Sequence, residues 1–238
     1  MIQVKVLNAP DCNNCDSKHG SAFSVLYNDE LTILSSNKSC HTYKDGEIIF
    51  SEDKYPSGIY CVHRGKIKIS RSGQEGREHI VRFATTGDIL GYKALLSREP
   101  FSASAIALDD CIICFIPRNQ FFETIQKNPK LSMKMLEILA SDLTHSEERV
   151  MELAQKSVRE RLAETLLILQ ETFGTNEEDK TINVNLTREE IANIVGTATE
   201  SVIRLLADFK KSGLIVLKGR KIEIVKQHAL IREAHLTE

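Results

Sequence analysis

LTREEIANIVGTATESVIRLLADFKKSGLI, residues 186–215, reads as two short helices joined by a tight turn. Thr187 stands three residues before Glu190, and Thr197 three before Glu200. Each segment therefore opens with the Thr-x-x-Glu pattern that satisfies orphan N–H groups at a helix start. Between them, Val195-Gly196 supplies the residue that turns sharply without steric cost. In the second helix Val202, Leu205, Leu206 and Phe209 recur at helical spacing, the apolar stripe that packs on a domain body. The opposite stripe is Thr199, Glu200, Ile203, Arg204 and Ala207. On an exposed helix a glutamate can accept from a cytosine amino group, an arginine can donate to guanine O6 and N7, and an isoleucine suits a thymine methyl. Thr187, Arg188, Thr197 and Ser201 join this face as candidate contacts.

A Glu and an Arg four residues apart could simply form a surface ion pair worth a few tenths of a kcal/mol. Context decides against that reading. LIVLK, GR and KIEIV follow at once, two alternating β segments around Lys218-Gly219-Arg220, a hairpin whose basic tip could sit on phosphate. Helix, turn, helix and wing together make a winged-helix DNA-binding unit. The formal net charge of −2 excludes a protein that coats nucleic acid indiscriminately, so basic groups must be local. They are: Arg204, Lys210, Lys211, Lys218, Arg220 and Lys221 crowd the last third.

Residues 40–117 have a different grammar. TYKDGEIIF, GIYCVHRGKIKIS, EHIVRFATTGDIL and ASAIALDDCIICFIP are short runs rich in β-branched and aromatic residues, broken by Asp45-Gly46, Arg64-Gly65, Ser72-Gly73 and Gly87-Asp88. That spacing predicts a β-sandwich or jelly roll in an α+β chain, and the length of 238 residues suggests two domains. After Pro117 the pattern becomes helical. Leu136, Leu139, Leu143, Val150 and Leu153, with Ser146 and Ser157 completing the series, fit a and d positions of a heptad flanked by Glu147, Glu148, Arg149 and Glu152. This predicts a parallel homodimer. Two reading helices spaced one duplex turn apart would recognise a palindromic site in double-stranded DNA. SVRERLAETLLILQETFG, residues 157–174, reads as the first helix of the DNA-binding domain, with a hinge near Gln155 to Val158.

No apolar run reaches about 18 residues, and MIQVKVLNAPD lacks the basic flank and apolar stretch of a signal peptide, so a soluble, cytoplasmic protein without membrane contact is expected. His41, His63, His79 and His145 lack a carboxylate or hydroxyl at catalytic spacing and read as solvated; no phosphate loop or nucleophile elbow is present. An enzymatic function is not expected. Cys12-Asn13-Asn14-Cys15 and Cys111-Ile112-Ile113-Cys114 look like two ligand pairs, but residues three apart on a strand project to opposite faces. Cys40, Cys61, Cys111 and Cys114 read more economically as small apolar core residues.

The order of barrel, long helix and winged helix resembles the Crp/Fnr family of bacterial transcription regulators. The resemblance runs through Tyr43 to Phe50, Gly58-Ile59-Tyr60, Arg64 to Lys68, Gly87-Asp88-Ile89-Leu90-Gly91 and the helix-turn-helix, where Glu200-Ser201-Val202-Ile203-Arg204 looks like the family's Glu-Thr-Val/Ile-x-Arg core. It implies a cyclic-nucleotide-binding-like jelly-roll sensor over 1–128, a dimerisation helix over 129–156 and a winged helix-turn-helix domain over 157–238. It also implies that Glu200 and Arg204 contact the G·C pair of a TGA-type half-site, and that RNA polymerase is a partner. Thr199 stands where cyclic-AMP-responsive members have arginine.

The same resemblance bears on the signal. Cyclic-nucleotide-binding members follow Gly-Asp-x-x-Gly with a glutamate for the ribose and later carry an Arg-Ser pair for the phosphate. Here Gly91-Tyr92-Lys93 offers no glutamate, and Pro100-Phe101-Ser102 has phenylalanine in place of the arginine, so a buried phosphate would lack its charge-assisted bonds. Arg98 is the nearest substitute. An effector pocket is expected around Gly91, Tyr92, Lys93, Arg98, Phe101 and Ser102, holding something other than cyclic nucleotide. Cys12, Cys15 and Cys114 match positions that hold an iron–sulfur cluster in the family's oxygen-sensing branch, but the further N-terminal cysteine is missing from His19 to Ser24. A cluster, a thiol redox response and an unidentified small effector all remain open. The alternative from another class is a cyclic-nucleotide sensor whose C-terminal domain is a docking platform without a DNA role.

Overall fold

The structure is a computed structural model and describes residues 10–73 and 78–236. It divides into two compact units, the first built from residues up to Ser72 and from Val81–Thr144, the second from Gly73–Ile80 and from His145 onward.

The first unit begins with single 3-10 turns at Cys12–Asn14, Asp16–Lys18 and Ala22–Val25, then helix α1 at Asn28–Asn37. Eight strands follow along the chain, the first residues of β5 being grouped with the second unit: β1 (Ser39–Tyr43), β2 (Ile48–Phe50), β3 (Gly58–Arg64), β4 (Ile67–Ser72), β5 (Glu78–Ala84), β6 (Ile89–Leu90), β7 (Ser104–Ala107) and β8 (Cys111–Pro117). Helix α2 (Tyr92–Ser97) lies between β6 and β7. They form two four-stranded sheets, ordered β1-β8-β3-β6 and β2-β7-β4-β5, which is the jelly roll expected from the spacing of turns. Strand alternation divides the side chains between two cores. Val62, Cys111 and Ile113 point into the sandwich with Ile49, Ile67, Leu90 and Ala105. Ile59 and Ile116, on the other face, pack with Phe23, Leu31, Leu34, Phe121, Leu131 and Met135 from the N-terminal turns and the helices. The sheet carrying β8 and β3 is thus covered on both sides. This is why its strands read as near-continuous apolar runs rather than clean alternation.

After β8 come α3 (Arg118–Lys127) and α4 (Pro129–Gln155), the long helix predicted from the heptads. Met133, Leu136, Leu143 and Val150 are exposed along α4. Leu139 departs from the expected seam, because it is partly buried against the first unit's core. Ser157 is not on α4 at all: its hydroxyl accepts from the Glu160 N–H and opens α5 (Val158–Phe173) as a capping box. Lys156 and Ser157 therefore separate the two helices where the hinge was expected.

The second unit continues with α6 (Arg188–Val195), α7 (Thr199–Lys211), the hairpin β9 (Ile215–Lys218) and β10 (Lys221–Ile224), and α8 (Gln227–Glu233). The hairpin turns through Gly219-Arg220 with Lys218 opposite Lys221, as read from the sequence. No helix among the described residues is long and apolar enough to cross a membrane.

Candidate functional site

Local chemistry builds the helix-turn-helix. Thr187 accepts from the Glu190 N–H at 3.1 Å and Glu190 returns a bond to the Thr187 N–H at 2.9 Å, the predicted reciprocal cap of α6. Gly196 ends α6 in the left-handed region at φ 71°, a conformation that costs a side-chain-bearing residue energy. The second predicted cap does not form. The N–H groups of both Gly196 and Thr197 donate to the Ala192 carbonyl, so Thr197 closes α6 instead of opening the next helix. Helix α7 starts two residues later, with Ala198 at its cap and no capping side chain.

Two arginines hold the end of α6 from beneath. Arg161, itself buried, donates to the Val195 carbonyl at 3.0 Å and to the Lys156 carbonyl at 2.7 Å, and Arg149 donates to the Ile194 carbonyl. The Ile194 and Val195 carbonyls lie in the last turn of α6, where no intrahelical donor remains for them. Val202, Leu206 and Phe209 of α7 are fully buried, each contributing roughly 1.5–3 kcal/mol of apolar transfer. Arg159 stacks its guanidinium 4.6 Å from the centre of the Phe209 ring.

What remains of α7 faces outward. Glu200, Ile203, Arg204 and Ala207 are exposed, Ile203 by 52%, while Thr199 and Ser201 are half-buried. Glu200 and Arg204 do not pair with each other, and among the described residues neither has a hydrogen bond or an ion pair. The surface ion pair weighed against the reading face is therefore absent here.

Other predicted contacts are differently placed. Arg188 donates to the Gly219 carbonyl at 2.8 Å and the Arg220 carbonyl at 3.3 Å, tying the start of α6 to the tip of the wing. Lys218 donates to the Asp179 carbonyl and pairs with Glu223, both at 2.8 Å, so its ammonium already has acceptors within the protein. Arg220 is exposed at the tip.

In the first unit, the six residues expected to surround an effector pocket point apart. Phe101 is buried and stacks on Phe50 at 4.1 Å between ring centres. It also lies against Gly91, where an added Cβ would meet the Phe101 ring at 3.1 Å. Tyr92 is buried and its hydroxyl donates to the Asp142 carboxylate on α4, which also takes an ion pair from Lys93 at 3.0 Å. Burial, reinforced by that hydrogen bond, pushes the Tyr92 hydroxyl well above its ordinary range. Arg98 and Ser102 are exposed.

A thiol-lined cavity lies elsewhere. A cavity of about 40 Å³ is lined by Cys12, Cys15, Lys38, Cys61, His63 and Cys114, among others. Lys38 donates to Cys12 Sγ at 3.0 Å, and Cys15 Sγ lies 3.2 Å from His63 Nδ1. His63 is thus half-buried rather than solvated as its sequence neighbours suggested; burial, with help from Lys38, lowers its pKa. Cys40 and Cys114 form a disulfide, which corrects their reading as separate core thiols; the cause is the register of β1 against β8, where the two stand directly opposite. Cys111 points into the other core, as strand alternation required.

With the Cys114 sulfur bonded to Cys40, the cavity presents three free thiols, Cys12, Cys15 and Cys61, where a cluster takes four thiolates. Cys61, on β3, is the cavity member that sequence reasoning missed as a partner of the N-terminal pair. Its pairing position opposite Cys114 depends on a strand register that spacing alone does not reveal.

Known proteins share both units. A cyclic nucleotide-binding domain model matches residues 40–128 and a Crp-like helix-turn-helix domain model matches residues 160–233. Electron transport regulator A of Shewanella oneidensis is 31% identical over 186 residues, 78% of this chain and 74% of that protein. The CRP-like cAMP-activated global transcriptional regulator of Mycobacterium tuberculosis is 30% identical over 190 residues, 79% of this chain and 85% of that protein. Among solved structures, FixK2 from Bradyrhizobium japonicum shares the fold with a TM-score of 0.73 at 22% identity, over 84% of this chain and 99% of that one.

Proposed function

The chain belongs to the Crp/Fnr family of transcription regulators, and from that premise we propose that it binds a palindromic site in double-stranded DNA as a homodimer. Glu200, Ile203 and Arg204 read base edges in the major groove, and Arg220 at the wing tip lies on the phosphate backbone. One observation carries this reading: an exposed glutamate and arginine on α7 with no hydrogen bond or ion pair among the described residues, on a helix whose opposite face is fixed in the core. The exposed apolar residues Met133, Leu136, Leu143 and Val150 along α4 support the dimer, since they sit at the spacing of a coiled-coil seam. RNA polymerase is the partner the family implies, and the role is regulation rather than catalysis.

The signal is something other than a cyclic nucleotide. Tyr92 occupies the position after the Gly-Asp-x-x-Gly turn, where the ribose-binding glutamate is missing, and its hydroxyl is engaged by Asp142. Phe101 fills the space where a phosphate-gripping arginine would stand. The cavity lined by Cys12, Cys15, Cys61 and Cys114 is the better candidate for the place where a signal enters.

Binding to a duplex with inverted TGA half-sites, followed by fluorescence anisotropy, tests the reading face. Arg204→Ala should lose roughly 1–3 kcal/mol of specific affinity and relax preference at one base pair while non-specific binding persists. Unchanged discrimination in that variant would overturn the proposal. Leu136→Glu with Leu143→Glu should shift sedimentation from dimer to monomer. Calorimetric titration with cyclic AMP should give no heat of binding.

A further inference from the structure

Three cysteines stand side by side across one sheet. In the pairing of β1 with β8, Cys40 is opposite Cys114 and the two are bonded. In the pairing of β8 with β3, Cys61 is opposite the same Cys114. Directly opposed residues on antiparallel strands project to one face with Cβ atoms roughly 4.5–5.5 Å apart. Cys114 therefore has a bonded sulfur on one flank and a free thiol on the other. Cys61 and Cys114 both line the cavity that the N-terminal Cys12 and Cys15 complete.

We propose that Cys114 is the shared member of a thiol–disulfide exchange site, its sulfur able to bond either Cys40 or Cys61, and that a low-molecular-weight disulfide is the oxidant that loads it. Loading balances in two substitutions. The Cys114 thiolate attacks the small disulfide, forming a mixed disulfide and releasing one small thiolate. The Cys40 thiolate then attacks the Cys114 sulfur and releases the second. The two protons lost by the cysteines go to the two small thiols. Exchange needs no further oxidant: the Cys61 thiolate attacks the Cys114 sulfur, the Cys61–Cys114 bond forms, the Cys40–Cys114 bond breaks, and Cys40 leaves as a thiolate that takes up the proton Cys61 gave up.

The bond at rest is Cys40–Cys114. Burial, followed by the nearby Cys12, pushes the Cys61 thiol well above its ordinary range, so little of it is thiolate and its attack on that bond is slow. Exchange would move the staple on β8 from one neighbouring strand to the other. β8 ends at Pro117, where α3 begins and leads to α4. The regulatory meaning of that move rests on the regulator reading above; the exchange chemistry does not.

The test uses the full chain equilibrated in reduced and oxidised glutathione at several ratios, alkylated, digested and read by peptide mass spectrometry. Wild type should give Cys40–Cys114 as the main linked peptide and Cys61–Cys114 as a second, both lost together under full reduction. Cys40→Ser should give Cys61–Cys114 alone, Cys61→Ser should keep Cys40–Cys114, and Cys114→Ser should leave Cys40 and Cys61 alkylated at every ratio. Thermal melting confirms that each variant is folded. The proposal is overturned if Cys61 remains fully alkylated in wild type at every ratio, or if folded Cys40→Ser leaves Cys61 and Cys114 as thiols. Because the readout is a linked peptide and not DNA affinity, failure of the DNA-binding proposal leaves this result intact.

Discussion

Helices α2 and α7 both lie just beyond a glycine in the left-handed region, Gly91 at φ 80° directly before α2 and Gly196 at φ 71° three residues before α7, and both carry polar and charged residues. Their side chains meet opposite ends. After Gly91, Tyr92 and Lys93 both engage Asp142, and Phe101 packs on the glycine itself. After Gly196, Glu200 and Arg204 have no hydrogen bond or ion pair among the described residues. The difference teaches that a recognition surface is marked by polar groups left available, not by polar groups as such. A buried hydroxyl with a carboxylate acceptor already has its hydrogen bond, whereas an exposed guanidinium keeps its five donors for a planar acceptor.

Substitutions can break or sharpen this contrast, and the largest effect belongs to the barrel. Phe101→Ala should destabilise the protein by roughly 3–5 kcal/mol in chemical denaturation, through lost transfer energy and the void left beside Phe50. A loss under about 1 kcal/mol would mean that the aromatic cluster is not filling the site. Tyr92→Phe removes a hydrogen bond to a charged acceptor and should cost about 1.5–3 kcal/mol by the same measurement. No change would show that the hydroxyl is as available as the side chains on α7, and the comparison would fail.

A smaller effect distinguishes the wing, whose charges are engaged unlike those of α7. Lys221, then Thr181, hold the Asp179 carboxyl well below the usual carboxylate range. A depressed folded pKa contributes stability that is present above the unfolded value, 3.8, and is lost as pH falls through the folded value. Acid denaturation followed by circular dichroism should therefore show stability declining from about pH 4 downward, with a shallower decline in Asp179→Asn. The smallest effect is expected on α7: Arg204→Ala should leave stability within about 0.5 kcal/mol of wild type, as expected of an exposed side chain with no hydrogen bond or ion pair among the described residues. A larger loss would mean that Arg204 supports the fold.

Much of this was legible in the chain. Local signals gave the α6 cap at Thr187, the turn at Gly196, the apolar stripe of α7, the hairpin around Gly219-Arg220 and the hinge at Lys156 and Ser157, because each depends on residues within a few positions of one another. The misreadings came from competition and from distance. Thr197 has the side chain for a cap, but its backbone is taken by the end of α6. Lys218 looked open to phosphate, yet Asp179 approaches from 39 residues away. The Cys40–Cys114 bond joins positions 74 apart, and its register, like that of Cys61 against Cys114, is set by packing of the whole sandwich. Phe101 could be seen as the wrong residue for a phosphate, but its stacking on Phe50 needed the fold.

The grip of Arg149 on Ile194 has a mechanical corollary. Arg149 sits near the tail of α4, and its hold falls on the carbonyl two residues before the turn that launches α7. If the tail of α4 twists about its axis, that guanidinium works as a crank, pulling on the corner from which α7 departs. Arg161, anchored on the next helix, is the bearing against which it turns. Torque delivered to the long helix would thereby emerge as a change in the aim of α7.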